Sequence, residues 1–136
     1  EFMEICLPSG RKIRYFKPQV DASGSCSYKG IDTYTRQWKR VETYGGKLLQ
    51  NLTEAIGRDL MAAGMLNLER SGKYPIVGTV HDEVITEPLE GEGSLEEGIE
   101  LMCEPIEWAE GLPVAATGFR EPAHQITYSF TRANVH

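Results

Sequence analysis

Apolar positions along this chain repeat with two different periods. Leu49, Leu52, Ile56, Leu60, Ala63 and Leu66 recur at steps of three and four, the spacing that lines one face of an α-helix. The pattern predicts a helix over 47–70, opened by Gly45-Gly46 and capped at Gly72. The flank away from the stripe carries Lys47, Gln50, Asn51, Glu54 and Arg58, also three or four apart. The stripe is expected to be buried against a sheet and this flank to face solvent.

Elsewhere the apolar runs are short and β-branched. Val77-Gly78-Thr79-Val80 and Val84-Ile85-Thr86 flank His81, Asp82 and Glu83. They predict a hairpin with all three polar residues at its apex. Glu4-Ile5-Cys6-Leu7 and Lys12-Ile13-Arg14-Tyr15-Phe16 read as the arms of an earlier hairpin, turned by Pro8-Ser9-Gly10. Pro18 is expected to end the second arm, since proline gives no N–H to a ladder. Cys6, alternating with Phe2 and Glu4, is expected to be a small buried residue. Residues 21–27 read as a loop, 28–35 as a strand, with Trp38-Lys39-Arg40-Val41 following. Ser94 is placed to cap a helix whose first turn holds Glu96 and Glu97, with Leu95, Ile99, Met102 and Ile106 turned inward. Gly111-Leu112-Pro113 breaks the chain before a last strand over 114–119. The fold class is α+β: an antiparallel sheet containing the acidic hairpin, packed against the long amphipathic helix.

The 136 residues, 40% of them hydrophobic, are enough for one modest domain with a core. No apolar run approaches the roughly 20 residues of a membrane span, and no signal-peptide pattern opens the chain. Glu1-Phe2, ahead of Met3, reads as a cloning remnant. Cys6, Cys26 and Cys103 are odd in number and form no CxxC pair, which disfavours structural zinc and a disulfide framework and fits a reducing cytoplasm. The net charge of −6 is unevenly spread. Residues 1–60 hold ten Lys and Arg against seven Asp and Glu, a net of +3; residues 61–136 hold four against thirteen, a net of −9. The basic front half is suited to phosphates.

An Asp at a hairpin apex is a candidate ligand for a hard divalent cation, which prefers carboxylate oxygen. A solvated turn is the competing reading, because Asp is common in turns. The surrounding motifs bear on that choice. Leu7-Pro8-Ser9-Gly10-Arg11, then Thr43-Tyr44-Gly45-Gly46-Lys47-Leu48, then the helix 51–59 with Ala55, Arg58 and Asp59 in register, and finally Val80-His81-Asp82-Glu83-Val84 follow one another. Trp108-Ala109-Glu110-Gly111-Leu112-Pro113-Val114-Ala115 adds a weaker match. In this order, from about residue 4 to 120, the sequence resembles the family A DNA polymerases, those similar to bacterial DNA polymerase I, and most of all their bacteriophage and prophage branch.

The resemblance implies a C-terminal palm fragment: a β-rich lead over 3–44, the C-terminal palm subdomain over 45–120, and a divergent tail over 121–136. It implies that His81, Asp82 and Glu83 are catalytic residues. Asp82 would bind the catalytic Mg2+, His81 would lie against the primer terminus, and Glu83 would support the site. Lys47, Gln50, Asn51, Glu54 and Arg58 would touch primer–template DNA near its minor groove. Deoxynucleotide triphosphates would be the other partner of the complete enzyme. The sequence departs from the family in three ways. The family's second metal-binding Asp, and its basic fingers helix, have no match before residue 77. Glu54 stands where Gln is usual. The ending over 121–136 lacks the short basic segment of the family. The chain alone is therefore expected to be inactive and to bind Mg2+ weakly or not at all. A non-catalytic DNA-binding or interaction module of prophage origin is the alternative. A metal-dependent phosphohydrolase built on His81-Asp82 ranks last, since only His124 and His136 remain as further histidines.

Overall fold

The computed structural model describes residues 1–120 and the strand Ile126–Arg132. The fold is α+β, with two antiparallel four-stranded sheets where the sequence suggested one. Contacts divide the chain into two compact units, Glu1–Ile56 and Gly57–His136. The long helix α1 (Gly45–Ser71) contributes its first part to one and its remainder to the other.

The first unit is a meander of β1 (Phe2–Cys6), β2 (Lys12–Val20), β3 (Cys26–Ile31) and β4 (Trp38–Thr43), in that spatial order. The β1–β2 connection closes through Leu7 N–H donating to the Arg11 carbonyl at 2.8 Å and Gly10 N–H to the Leu7 carbonyl at 2.9 Å. Gly10 sits at φ 84°, which glycine adopts without steric cost. Alternation sends Met3, Ile5, Ile13 and Tyr15 to one face. Cys6 shares the other with Phe2 and Glu4 and is exposed, contrary to the burial expected of it. Its strand partners already set its side of the pleat, and a small apolar side chain cannot override that. Pro18 does not end β2 either. The register with β3 slips between Phe16 and Gln19, and Lys17 takes φ 47°. A bulge of this kind accommodates the residue that lacks an N–H, and the strand continues to Val20.

Asp32 organises the β3–β4 turn. Its Oδ1 accepts from Thr35 N–H at 2.7 Å, Thr35 Oγ1 at 2.8 Å and Tyr34 N–H at 3.2 Å, and its Oδ2 lies 3.2 Å from Lys39 Nζ. The Thr35 amide and hydroxyl, then Lys39, hold this carboxyl at about 2, below its ordinary 3.8. A depressed folded value means stability fully present above the unfolded pKa, about 3.9, and lost as pH falls through about 2. Asp32→Asn should therefore lower stability at neutral pH and flatten the decline between about pH 4 and 2. Unfolding midpoints of both proteins across that window test this. Glu4, Asp21 and Glu97 are shifted in the same direction, so only the difference between the two proteins isolates Asp32.

The second unit contains β5 (Ile76–Val80), β6 (Glu83–Thr86), α2 (Leu95–Met102), β7 (Val114–Arg120) and β8 (Ile126–Arg132), with sheet order β5-β6-β8-β7. The expected last strand is β7, but β8 follows it and inserts between β6 and β7. Its sequence alternates Ile126, Tyr128 and Phe130 with Thr127, Ser129 and Thr131, a period-two signal within the supposed tail. His124 and His136 lie outside the described residues.

Met61, Leu68, Tyr74, Val84 and Met102 form the core of this unit. The buried line of α1 is thus Met61, Gly64 and Leu68, one position round from the predicted stripe, while Leu49 and Leu66 are 62% and 53% exposed. Leu52, Ile56, Leu60 and Ala63 are half-buried. Gly64 explains the offset. A Cβ there would lie 3.0 Å from both the carbonyl oxygen and Sδ of Met102, so a bare backbone is what lets α2 approach. The predicted cap of α2 forms, with Ser94 Oγ accepting from Glu97 N–H at 3.0 Å.

Candidate functional site

Val80 pairs with Glu83 across the β5–β6 ladder, leaving a two-residue loop of His81 and Asp82. Glu83 is therefore the first residue of β6, half-buried, and not part of the apex. The cause is the turn length: two-residue loops match the right-handed twist of the strands they join. Such turns need a left-handed residue, and His81 supplies it at φ 54°, a conformation usually left to Gly or Asn. The base of the hairpin is firm, since Val84 and Thr86 are fully buried. His81 and Asp82 are exposed at its tip.

A strained residue at an exposed tip serves display better than stability. His81→Gly is expected to stabilise the chain by about 0.5–1 kcal/mol, by removing the left-handed strain. Urea unfolding measures this. A stability loss of similar size would show that the His81 side chain holds the turn.

Asp82 offers oxygen donors of the kind that Mg2+ takes. Among the described residues, however, no three His, Cys, Asp or Glu side chains gather to hold a metal. At the tip, Asp82 alone supplies carboxylate oxygens, and Glu83 stands behind it as the first residue of β6.

Of the predicted DNA-facing residues, Lys47, Gln50 and Glu54 form a connected row on α1. Lys47 Nζ lies 3.4 Å from Gln50 Oε1, and Gln50 Nε2 donates to Glu54 Oε1 at 2.8 Å. Glu54 and Arg58 are exposed as expected, with Arg58 Nη1 3.4 Å from Met61 Sδ. Asn51 departs from expectation. Its Nδ2 donates to the hydroxyl of buried Tyr15 at 3.0 Å, tying the helix to β2, so in this chain it is a half-buried fastener. The row Lys47–Gln50–Glu54 and the tip His81–Asp82 belong to different units. Arg11, the last residue of the Leu7–Arg11 motif, donates from its Nη2 to the Ala55 carbonyl at 3.1 Å. The Leu7–Arg11 motif was the signal for it.

This chain is similar to a phage DNA polymerase. The DNA polymerase of Bacillus phage SP02 is 38% identical to it over 120 residues, 85% of this chain and 18% of the phage protein. The chain thus spans less than a fifth of that relative's length. No family model and no solved structure matches it. Among the described residues, no helix is long and apolar enough to cross a membrane.

Proposed function

We propose that this chain is the C-terminal part of the palm of a family A DNA polymerase of the phage and prophage branch. The complete enzyme would carry out template-directed nucleotidyl transfer on primer–template DNA with deoxynucleotide triphosphates. The similarity to the SP02 polymerase carries this reading, and the exposed His81-Asp82 tip on a firm hairpin is the feature that gives it chemistry.

In this reading Asp82 binds a divalent cation, together with carboxylates from outside this chain and substrate phosphates. When bound, that cation neutralises charge on the attacking and leaving oxygens. His81, fixed beside Asp82 by the turn, contacts the primer end. Glu83 supports the tip from the first position of β6. Lys47, Gln50 and Arg58 meet the duplex near its minor groove, where readout is coarse and suits a copying enzyme. Gln50 engages Glu54, the one acid of that row.

Primer extension tests the proposal. The product of the complete reading frame should extend a primer in the presence of Mg2+, and the 136-residue chain alone should not. A complete product that binds DNA but never extends would leave a non-catalytic DNA-binding module as the surviving reading.

A further inference from the structure

The sheet of the first unit has two unlike faces. One carries Met3, Ile5, Ile13 and Tyr15, with Tyr15 buried beneath α1. On the other, the strand register sets Phe2 opposite Phe16, Phe16 opposite Lys29, Lys29 opposite Arg40, and Ile31 opposite Trp38. The Phe2 and Phe16 rings are 5.1 Å apart and the Phe16 and Trp38 rings 6.2 Å, so three aromatics form a row across the sheet. Phe2 and Trp38 are 56% and 61% exposed. Phe16, between them, is half-buried, so burial of apolar area accounts for it but not for Phe2 and Trp38, which stay largely in water.

The charge on this face is the reverse of the whole chain's −6. Lys12, Arg14, Lys29 and Arg40 lie on it by register, and Lys17 Nζ sits 5.5 Å from the centre of the Phe16 ring. Against these five cations stand Glu4 and Glu42. Glu4 is taken up by Lys12 at 2.6 Å and Arg14 at 2.9 Å. Lys17 and Lys29 remain around the rings, and half-buried Arg40, whose Nη1 donates to the Lys17 carbonyl at 3.3 Å and to Ser27 Oγ at 3.2 Å, adds its charge to the same face.

We infer that this face is a stacking platform for single-stranded DNA. Unpaired bases stack on Trp38 and its neighbour Phe16, with no role for Phe2 of the leading Glu1-Phe2 remnant, while Lys17, Lys29 and Arg40 attract the backbone phosphates. Exposed rings beside cations are the combination that binds single strands without reading sequence. A duplex keeps its bases stacked on one another and cannot use the rings. The inference goes beyond the hairpin's role and takes from that reading only that the nucleic acid is DNA.

The test uses the full 136-residue chain carrying Trp108→Phe, so that Trp38 is its one tryptophan. A twenty-nucleotide oligo-dT should quench Trp38 fluorescence, and a duplex of equal length should bind more weakly. By anisotropy of labelled oligo-dT, Trp38→Ala should weaken binding about tenfold, within the range set by one base–aromatic stack, and Trp38→Phe should restore most of it. Lys17→Ala and Lys29→Ala should each lower the salt slope by about one. Unquenched Trp38, an unchanged affinity for Trp38→Ala, or preference for duplex would overturn the platform. Failure here, alongside normal primer extension by the complete enzyme, removes the platform alone. Oligo-dT binding that depends on Trp38 in a protein that never extends primers removes the polymerase reading and keeps the platform.

Discussion

Asp82→Ala in the complete enzyme is expected to reduce primer extension by about a thousandfold or more. Asp82 would hold a metal ion whose chemistry would supply several kcal/mol of transition-state stabilisation, and each 1.36 kcal/mol is about tenfold in rate. The loss should fall on kcat, with DNA affinity changed only a few-fold. Asp82 is exposed in a two-residue loop, so unfolding should change by no more than about 0.5 kcal/mol. That pairing of a large rate effect with a negligible stability effect distinguishes a ligand from a structural residue. Single-turnover extension and thermal unfolding of the same variant measure the two. A variant that extends primers normally would overturn the assignment of Asp82.

Gly93→Ala is expected to give the largest loss of stability, about 2–4 kcal/mol, from backbone strain and overpacking together. Gly93 sits at φ +69°, and a Cβ there would lie 2.7 Å from Cε1 and 2.8 Å from Cζ of Tyr74. The ring cannot yield. Tyr74 is fully buried, and its hydroxyl accepts from Ser94 N–H at 2.8 Å and lies 2.8 Å from Glu97 Oε2. Burial, then the Glu97 carboxylate, pushes the Tyr74 hydroxyl above its ordinary value. Lys73 and then Tyr74 hold Glu97 below its own. One cluster thus joins the chain before β5 to the start of α2. A urea midpoint within experimental scatter of the parent would show that the loop can shift away from Tyr74.

Where hydrophobicity alternated strictly, the sequence revealed the structure. The arms of the first hairpin, the span of α1 and the Ser94 cap were all legible, because each follows from local periodicity or from one side chain beside a helix end. The buried face of α1 was not, because its decisive member is Gly64. A glycine registers in no apolar stripe, and its value lies in what Met102 does across from it. Strand β8 was legible in principle, but its alternation stood in a segment set aside as a divergent tail. At the hairpin, the turn was readable and its membership was not. Whether Glu83 belonged to the loop depended on the pairing of Val80, which the sequence does not display. Asn51 was misjudged for a similar reason: the Tyr15 hydroxyl that claims it is distant in sequence.

Iron-directed cleavage tests whether the His81–Asp82 tip holds the catalytic metal of a polymerase. Fe2+ replaces Mg2+ in the complete enzyme with primer–template and nucleotide bound, and peroxide generates radicals at the metal. Backbone cleavage is expected to centre on residues 81–82, to depend on bound DNA and nucleotide, and to be absent from Asp82→Ala. Cleavage confined to other parts of the protein, or unchanged by Asp82→Ala, would contradict that placement of the metal.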